Sequence, residues 1–317
     1  MKTIDVHQHL LGKPLVEALA RRTEPPMLVP RREGWTFKLA AEPDSVLTFE
    51  ATDAELRREE LREDGIDRAL VALSTALGIE TLPAGQSVPL IEAHHQGIEA
   101  LPPEFDGWGA VPLAEPEPDP ADVDFALDRG CVGISLPAAA LADPAAVERL
   151  APLLARLDER GAPLFVHPGP VGTALTIRPG SDPARLPHWW PALTDYVAQM
   201  QAAWFAFLHV GRHAHPRLRV LFAMLAGGAP LQLERYAARR GVLAPAPDPL
   251  VFYDTSSYGP RMLAAVAEAV GASQLVYCSD RPVVAPRRPR LAPDLRLALV
   301  ATNPNRLLNP DPKGALA

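Results

Sequence analysis

An α/β fold of the (β/α)8 TIM barrel type is predicted by two features of the 317-residue sequence. Buried-strand patterns alternate with helical patterns eight times along the chain, which is typical of a parallel sheet, and eight units in one domain suggest a closed barrel. Hydrophobic residues make up 48% of the chain, enough for a large core. We therefore expect residues 1–317 to form a single barrel domain.

The predicted strands are short apolar runs bounded by polar residues, glycine or proline. They cover residues 3–9, 68–74, 107–113, 132–137, 164–167, 219–225, 250–256 and 274–279. The predicted helices that follow them cover residues 53–64, 90–101, 119–129, 144–160, 191–212, 230–240, 261–270 and 291–308. Gly65, Gly130 and Gly161 directly follow three of these helices, the usual position of a helix-ending glycine.

The connection between the first strand and the first of these helices is long and polar, spanning residues 12–52. It contains two strand-like pieces, residues 35–40 and 45–50, on either side of the turn-forming sequence Glu42-Pro43-Asp44. Two short strands separated by such a turn form a hairpin. We therefore predict a hairpin insertion in the first βα loop.

Charge and composition restrict the class of partner. The net charge is −7 with acidic and basic residues interspersed, which argues against nucleic acid. The sequence contains no run of about 18 apolar residues, so no membrane span is expected. A small-molecule substrate is the expected partner, and the sequence leaves a homodimer open.

Cysteine content and the N-terminal residues favour a cytoplasmic location. Cys131 and Cys278 are the two cysteines, far apart in sequence, and we expect no disulfide between them. His7 and His9 interrupt the apolar stretch that an N-terminal signal segment would need. A reducing compartment fits both features.

Titratable residues at the carboxyl ends of three predicted strands indicate a metal site. His7 and His9 alternate on the first strand and therefore share one face, the fifth strand ends at His167, and Asp280 follows the eighth. Chemistry in such barrels lies at the carboxyl ends of the strands. An isolated His-X-His pair is more often incidental, but three histidines and a carboxylate at converging strand ends are typical of a metal-ligand set.

Seven segments resemble the amidohydrolase superfamily, specifically its Amidohydrolase_2 branch, which includes aminocarboxymuconate-semialdehyde decarboxylase and related aromatic-acid decarboxylases. The segments follow the family order over almost the whole chain: DVHQH at 5–9, GWGAVPL at 107–113, GISL at 133–136, LFVHPG at 164–169, FYDTSS at 252–257, CSDRP at 278–282 and NPNRLL at 303–308. The resemblance implies a metal-dependent enzyme with His7, His9, His167 and Asp280 as ligands, and zinc as the usual ion among the divalent metals.

The predicted sixth strand departs from the pattern of the family that the chain resembles. Met224 stands where that family has a histidine, the expected partner of the metal-bound water. A thioether cannot accept a proton at neutral pH, and residues 220–226 contain no titratable side chain. His209, His213 and His215 precede the strand, so we expect them at the opposite end of the barrel.

Four residues are candidates for substrate binding. Arg178, His188 and Trp189 lie in the long connection after the fifth strand. Arg281 follows Asp280, where the family often has an aromatic residue. A guanidinium suits a planar carboxylate. The alternatives are ordinary surface arginines and a hydrophobic patch that anchors the next helix.

Three functions remain open at this point. The first is a metal-dependent hydrolase that acts on a small carboxylated or cyclic substrate through a metal-activated water, with Asp280 as ligand, general base or both. The second is a non-oxidative decarboxylase of a small aromatic or unsaturated acid at the same site. The third is a barrel that has lost catalysis, which Met224 supports. The complete ligand set favours the first two, and the fold cannot identify the substrate.

Overall fold

The computed structural model describes residues 2–40, 42–114, 118–170, 187, 189–241, 246–284 and 292–309. Eleven strands are present in this part of the chain. In chain order they are β1 (Ile4–Gln8), β2 (Met27–Arg31), β3 (Gly34–Lys38), β4 (Ser45–Thr48), β5 (Arg68–Val71), β6 (Phe105–Gly109), β7 (Gly133–Pro137), β8 (Leu164–His167), β9 (Val220–Phe222), β10 (Val251–Asp254) and β11 (Leu275–Val276).

Helices follow the barrel strands and form the outer layer. They are α1 (Lys13–Ala20), α2 (Ala54–Asp64), α3 (Ala84–Glu99), α4 (Ala121–Asp128), α5 (Pro144–Arg149), α6 (Ala151–Arg160), α7 (Trp190–Leu193), α8 (Asp195–Ala206), α9 (Arg212–Ala214), α10 (Leu233–Arg240), α11 (Pro260–Val270), α12 (Pro293–Leu297) and α13 (Asn303–Leu308). Single π turns join α8 to α9 and α12 to α13.

The eight parallel strands pair in the order β1-β5-β6-β7-β8-β9-β10-β11, so each barrel strand lies beside the next one in the chain. The barrel closes where the chain beyond β11 returns to β1. There the amide of Val6 donates to the carbonyl of Tyr277 over 3.2 Å, and Gln8 pairs with Arg281 in a parallel bridge. The predicted (β/α)8 barrel is confirmed.

Large aromatic side chains fill the barrel interior. Trp108, Phe165 and Phe252 are fully buried. The indole nitrogen of Trp108 donates to the carbonyl of Val6 over 2.9 Å, so the polar atom of this large side chain is satisfied inside the core. The interior is therefore packed, and chemistry is restricted to the ends of the barrel.

The insertion in the first βα loop is larger than the predicted hairpin. It contains helix α1 and a three-stranded antiparallel sheet in the order β2-β3-β4, so the hairpin prediction missed one strand. Strand β2 was missed because Pro30 and Arg31 interrupt its apolar pattern. As an edge strand it tolerates the proline. The inner face of the three-stranded sheet is buried in an apolar cluster that is separate from the barrel core and includes Leu28, Phe37 and Leu47.

Three predicted helices are divided, and within the helix predicted at residues 291–308 the π turn Ala298–Thr302 separates α12 from α13. The predicted helix 144–160 is broken at Leu150, because Pro152 requires the first turn of a new helix. The predicted helix 191–212 changes at Ala206 to a π turn. The sixth barrel strand was predicted to end at residue 225, but it ends at Phe222.

Two smaller predictions, on the cysteines and on membrane spans, can be compared with the structure. Cys131 and Cys278 are both buried and unbridged, as predicted. His94 and His95 are buried and bind backbone atoms, His94 at the carbonyl of Trp108 and His95 at the amide of Ala110, so both are structural. Within the described ranges, no helix combines the length and apolar character needed to cross a membrane.

Glu80 is an ionisable residue that the sequence analysis did not single out. It lies in the connection after β5, is 1% exposed, and neither carboxylate oxygen has a hydrogen-bond partner among the described residues. Burial raises its pKa to about 7. The folded protein therefore holds Glu80 protonated at a pH where the unfolded chain has already ionised it.

We predict that Glu80 makes the folded protein less stable as the pH rises from about 4.5 to about 7. In this window the native state binds one more proton than the unfolded state, so the free energy of unfolding falls by about 3 kcal/mol and stays low above it. Urea unfolding of wild type and Glu80→Gln at acidic and mildly alkaline pH isolates this contribution. An identical pH dependence in the two proteins would refute it.

Candidate metal centre

Three imidazole rings meet at the carboxyl ends of β1 and β8. The ring centroids of His7 and His9 are 4.8 Å apart, those of His7 and His167 are 4.9 Å apart, and those of His9 and His167 are 5.1 Å apart. Each pair of rings is nearly perpendicular. All three histidines are buried. The alternation along β1 and the common rim formed by the carboxyl ends of the barrel strands therefore bring the rings together as predicted.

The outward ring nitrogen of each histidine has a fixed partner. Nδ1 of His7 lies 2.7 Å from Oδ2 of Asp254, and Nδ1 of His9 lies 3.0 Å from the carbonyl oxygen of Ala72. Nδ1 of His167 lies 2.8 Å from the carbonyl oxygen of Pro168. Carbonyl oxygens and an ionised carboxylate only accept, so each Nδ1 carries the proton. Every Nε2 then keeps a free lone pair, which is the arrangement of metal-ligating histidines.

Asp280 completes the group. Its Oδ1 lies 3.3 Å from Nε2 of His9 and 3.6 Å from Nε2 of His7, and this buried oxygen accepts no hydrogen bond within the described ranges. The backbone of Asp280 is in the left-handed region, with φ of 55°. Its amide donates to the carbonyl of His7 over 3.0 Å. The carboxylate is therefore directed at the histidines by the closure of the barrel.

The spacing of the donor atoms suits a small divalent ion. Ligand atoms about 2.1 Å from a tetrahedral ion lie about 3.4 Å from one another. The distances here are 3.1 Å between the Nε2 atoms of His7 and His9, with 3.3 and 3.6 Å to Asp280. One ligand atom from each of His7, His9, His167 and Asp280 lies within 4.8 Å of the others. These four residues could hold a metal ion without a change of fold.

Neighbouring charges polarise the centre. Burial alone would lower the pKa of His7, but Asp280 and Asp254 outweigh it and raise the pKa above its ordinary value. Burial and the two other histidines hold the pKa of His167 well below its ordinary value. Burial would raise the pKa of Asp254, but hydrogen bonds from His7 and Ser256 lower it. The lowered pKa of Asp254 keeps this buried carboxylate ionised, which gives the site a negative character that suits a cation.

Asp254 and Thr75 support the centre and were not assigned roles from the sequence. Asp254 ends β10 and is fully buried, and its other oxygen accepts the amide of Ser256 over 2.6 Å. Oγ1 of Thr75 lies 2.7 Å from Nδ1 of His167. The position of Asp254 at a strand end was the available signal, whereas no pattern around Thr75 pointed to the site.

Met224 lies two residues beyond β9, in an unusual turn. Residues 224–228 all have left-handed backbone angles, with φ between 50° and 74°. At Gly227 an added Cβ would come within 2.6 Å of the carbonyl oxygen of Val197, so this close approach requires glycine. The Met224 side chain is half-buried against the core. Barrel strand six therefore brings no titratable side chain towards the centre.

The four predicted substrate-binding residues have different outcomes. Arg178 and His188 lie outside the described residues. Trp189 is exposed and packs against Trp190, with 5.7 Å between ring centroids, and its role in substrate binding stays a prediction. Arg281 pairs with the carboxylates of Glu60 and Asp64 on α2, and its role in substrate binding also stays a prediction.

Comparison with known proteins identifies the fold. Neither a family model nor a curated protein matches the sequence. Solved structures do match: an IDCase from Metarhizium anisopliae in its apo form has a TM-score of 0.73 and 16% identity, covering 97% of each chain. An amidohydrolase II structure has a TM-score of 0.72 and 20% identity over 96% of this chain and 99% of that chain.

A third similar structure contains a metal. The 5-carboxyvanillate decarboxylase of Novosphingobium aromaticivorans, with bound manganese and a nitrobenzoic acid derivative, has a TM-score of 0.71 and 15% identity over 97% of each chain. These comparisons show that the chain shares its barrel fold with these structures, which is the fold that the sequence resemblance implies.

We predict that Asp254→Asn weakens divalent-metal binding by about 10- to 100-fold, because it removes the carboxylate that orients the His7 ring and raises its basicity. Asp248→Asn is a matched control, since Asp248 pairs with Arg212 and accepts the amide of Leu250 at the other end of β10. Titration of metal-free protein with zinc in competition with a chromophoric chelator gives the dissociation constants. Equal losses in both variants would contradict a specific role for Asp254.

Proposed function

We propose that the protein is a metal-dependent enzyme that acts on a small carboxylated or cyclic substrate at the centre formed by His7, His9, His167 and Asp280. The convergence of three free Nε2 lone pairs with the unpartnered Oδ1 of Asp280 carries this proposal. A divalent ion bound there would supply Lewis acidity and lower the pKa of a bound water to about 7. A nitrogen-rich set favours zinc.

Hydrolysis is the first candidate reaction. Among the described residues around the centre, Asp280 is the carboxylate whose oxygen faces the histidine Nε2 atoms. It can take a proton from an attacking water and return it to the leaving group, so hydrolysis does not require a base on barrel strand six. Asp254 cannot share this role because it is fully buried behind His7.

Non-oxidative decarboxylation of a small aromatic or unsaturated acid is the second candidate. Solved structures with the same fold are described as 5-carboxyvanillate and 2,6-dihydroxybenzoate decarboxylases. In this reaction the bond to the carboxylate carbon breaks, carbon dioxide leaves, and the electron pair remaining on the substrate takes one proton. Asp280 in its protonated form can deliver that proton, so one acid–base side chain suffices.

A panel of esters, lactones, amides and aromatic carboxylic acids tests the proposal, with carbon dioxide release measured separately from hydrolysis products. Turnover that requires a divalent metal supports the proposal, and the product separates the two reactions. Absence of turnover across the panel in metal-loaded protein would favour the non-catalytic barrel. A cytoplasmic location, consistent with the scarcity of cysteines, and a homodimer are further parts of the proposal, and light scattering measures the oligomeric state.

We predict that Asp280→Asn lowers turnover by at least about 100-fold, since it keeps the shape of the side chain but removes its basicity. Metal content is measured on the same sample, so that loss of metal is not mistaken for loss of the acid–base group. Unchanged activity with metal still bound would show that Asp280 does not transfer the proton.

The complementary variant is Met224→His, which places an imidazole at the end of barrel strand six. If this variant raises hydrolysis of a generic ester or lactone, the site is a hydrolase site that lacks one proton-transfer group. If it leaves hydrolysis unchanged while carbon dioxide release persists, the decarboxylase assignment is supported and the hydrolase assignment fails.

A further inference from the structure

The chain segment that carries Asp280 is tied to the first strand by two backbone hydrogen bonds. The amide of Asp280 donates to the carbonyl of His7 over 3.0 Å, and the amide of His9 donates to the carbonyl of Arg281 over 2.6 Å. Asp280 has a left-handed backbone, which is uncommon for a non-glycine residue although aspartate adopts it more readily than most. A side-chain contact from outside the two strands also holds this turn.

The side chain of Arg281 provides that contact. One terminal nitrogen of its guanidinium lies 2.8 Å from Oε2 of Glu60, and the other lies 2.7 Å from Oδ2 of Asp64. Glu60 and Asp64 are one turn apart on α2 and therefore share a face. A planar fork with two carboxylate partners fixes the direction of the arginine better than one point contact could.

The same helix also supports the strand that carries the histidines. Arg57 is buried, and its Nε lies 2.9 Å from the Oε2 of Glu60 that pairs with Arg281. A terminal nitrogen of Arg57 donates to Oε1 of Gln8 over 3.2 Å. Gln8 in turn donates to Oδ2 of Asp5 over 2.8 Å.

Asp5 completes the connection between the two ligand-bearing segments. Its Oδ1 accepts the amide of His7 over 3.2 Å and the amide of Ser279 over 3.0 Å. A continuous series of ion pairs and hydrogen bonds therefore connects α2 to the backbone of both His7 and Ser279. Gln8 is bonded to Arg57 of α2, so this part of the network lies on the side of β1 that faces the outer helix.

We propose that α2 sets the geometry of the metal centre, and that Arg281, held by Glu60 and Asp64, is the positioning residue that orients Asp280 towards the three histidines. The proposal rests on the metal site proposed above. In this proposal Arg281 positions the metal ligand Asp280 and does not bind substrate, because both terminal nitrogens of its guanidinium are paired with carboxylates of the protein itself. Loss of the fork frees the turn at residue 280, so the ligand set must be ordered when the ion binds.

Metal affinity is the property that separates positioning from simple stabilisation. Arg281→Ala is compared with Arg160→Ala, because Arg160 also pairs with two carboxylates, those of Asp124 and Asp128, on the outer helices. Metal-free proteins are titrated with zinc against a chromophoric chelator, and thermal unfolding of the metal-free forms is recorded. We expect Arg281→Ala to weaken zinc binding by about 10- to 100-fold and Arg160→Ala to leave it unchanged.

Further variants keep the test decisive if Arg281→Ala does not fold. Glu60→Gln and Asp64→Asn each remove one partner of the fork and should weaken zinc binding less than the loss of the arginine. Arg281→Lys supplies a single point charge and should restore only part of the affinity. The visible spectrum of cobalt-substituted protein should change in Arg281→Ala and stay unchanged in Arg160→Ala, since it reports the ligands of the ion.

The outcomes distinguish the two proposals. If wild type binds zinc and Arg281→Ala binds it equally well, the positioning role is wrong while the metal site stands. If Arg281→Ala and Arg160→Ala lose the same affinity in proportion to their loss of stability, the effect is general and the positioning role is again wrong. If metal-free wild type binds neither zinc, manganese nor cobalt, the proposed function itself fails and the positioning role fails with it.

Discussion

The closure of the barrel between its first and last strands is the constraint on which the candidate site depends. Strand β11 is regular only over Leu275–Val276, and the chain then leaves it to bond with β1 through residues 277, 280 and 281. This departure places Asp280 opposite the histidine face of β1. A fully regular eighth strand would continue its pleat past this point, and the left-handed turn at Asp280 would not form. The same hydrogen bonds thus complete the fold and assemble the ligand set.

Electrostatic compensation explains why so many polar groups can be buried at one end of the barrel. Three imidazoles, Asp5, Asp254 and Arg57 are all nearly inaccessible to solvent. Burying any of these groups without a partner would cost free energy. Their polar atoms that point away from the proposed ion are hydrogen-bonded to the backbone or paired with a side chain that is complementary as donor or acceptor. The exception is the set of atoms that face one another, namely the histidine Nε2 atoms and Oδ1 of Asp280. A bound cation is the group that satisfies all of them together, which is the physical basis of the proposed function.

The sequence predicted the barrel and the four converging residues because both depend on local periodicity. Alternation along β1 places His7 and His9 on one face, and strand ends of a parallel barrel share one rim. The supporting contacts could not be predicted in this way. Asp254 and His7 are hydrogen-bonded although 247 residues separate them in the sequence, and Arg281 and Asp64 are separated by 217 residues. Each pairing therefore depends on strand register and helix placement. The carboxylates of α2 are visible in the sequence, but their pairing with Arg281 is not.

Anomalous X-ray diffraction from metal-loaded crystals, recorded on both sides of the metal absorption edge, tests the central claim most directly. The account predicts one anomalous peak per chain, about 2.0–2.2 Å from Nε2 of His7, His9 and His167 and from Oδ1 of Asp280. A peak at another location, ligation through Nδ1 of any of the three histidines, or a crystal without a peak after loading would contradict it.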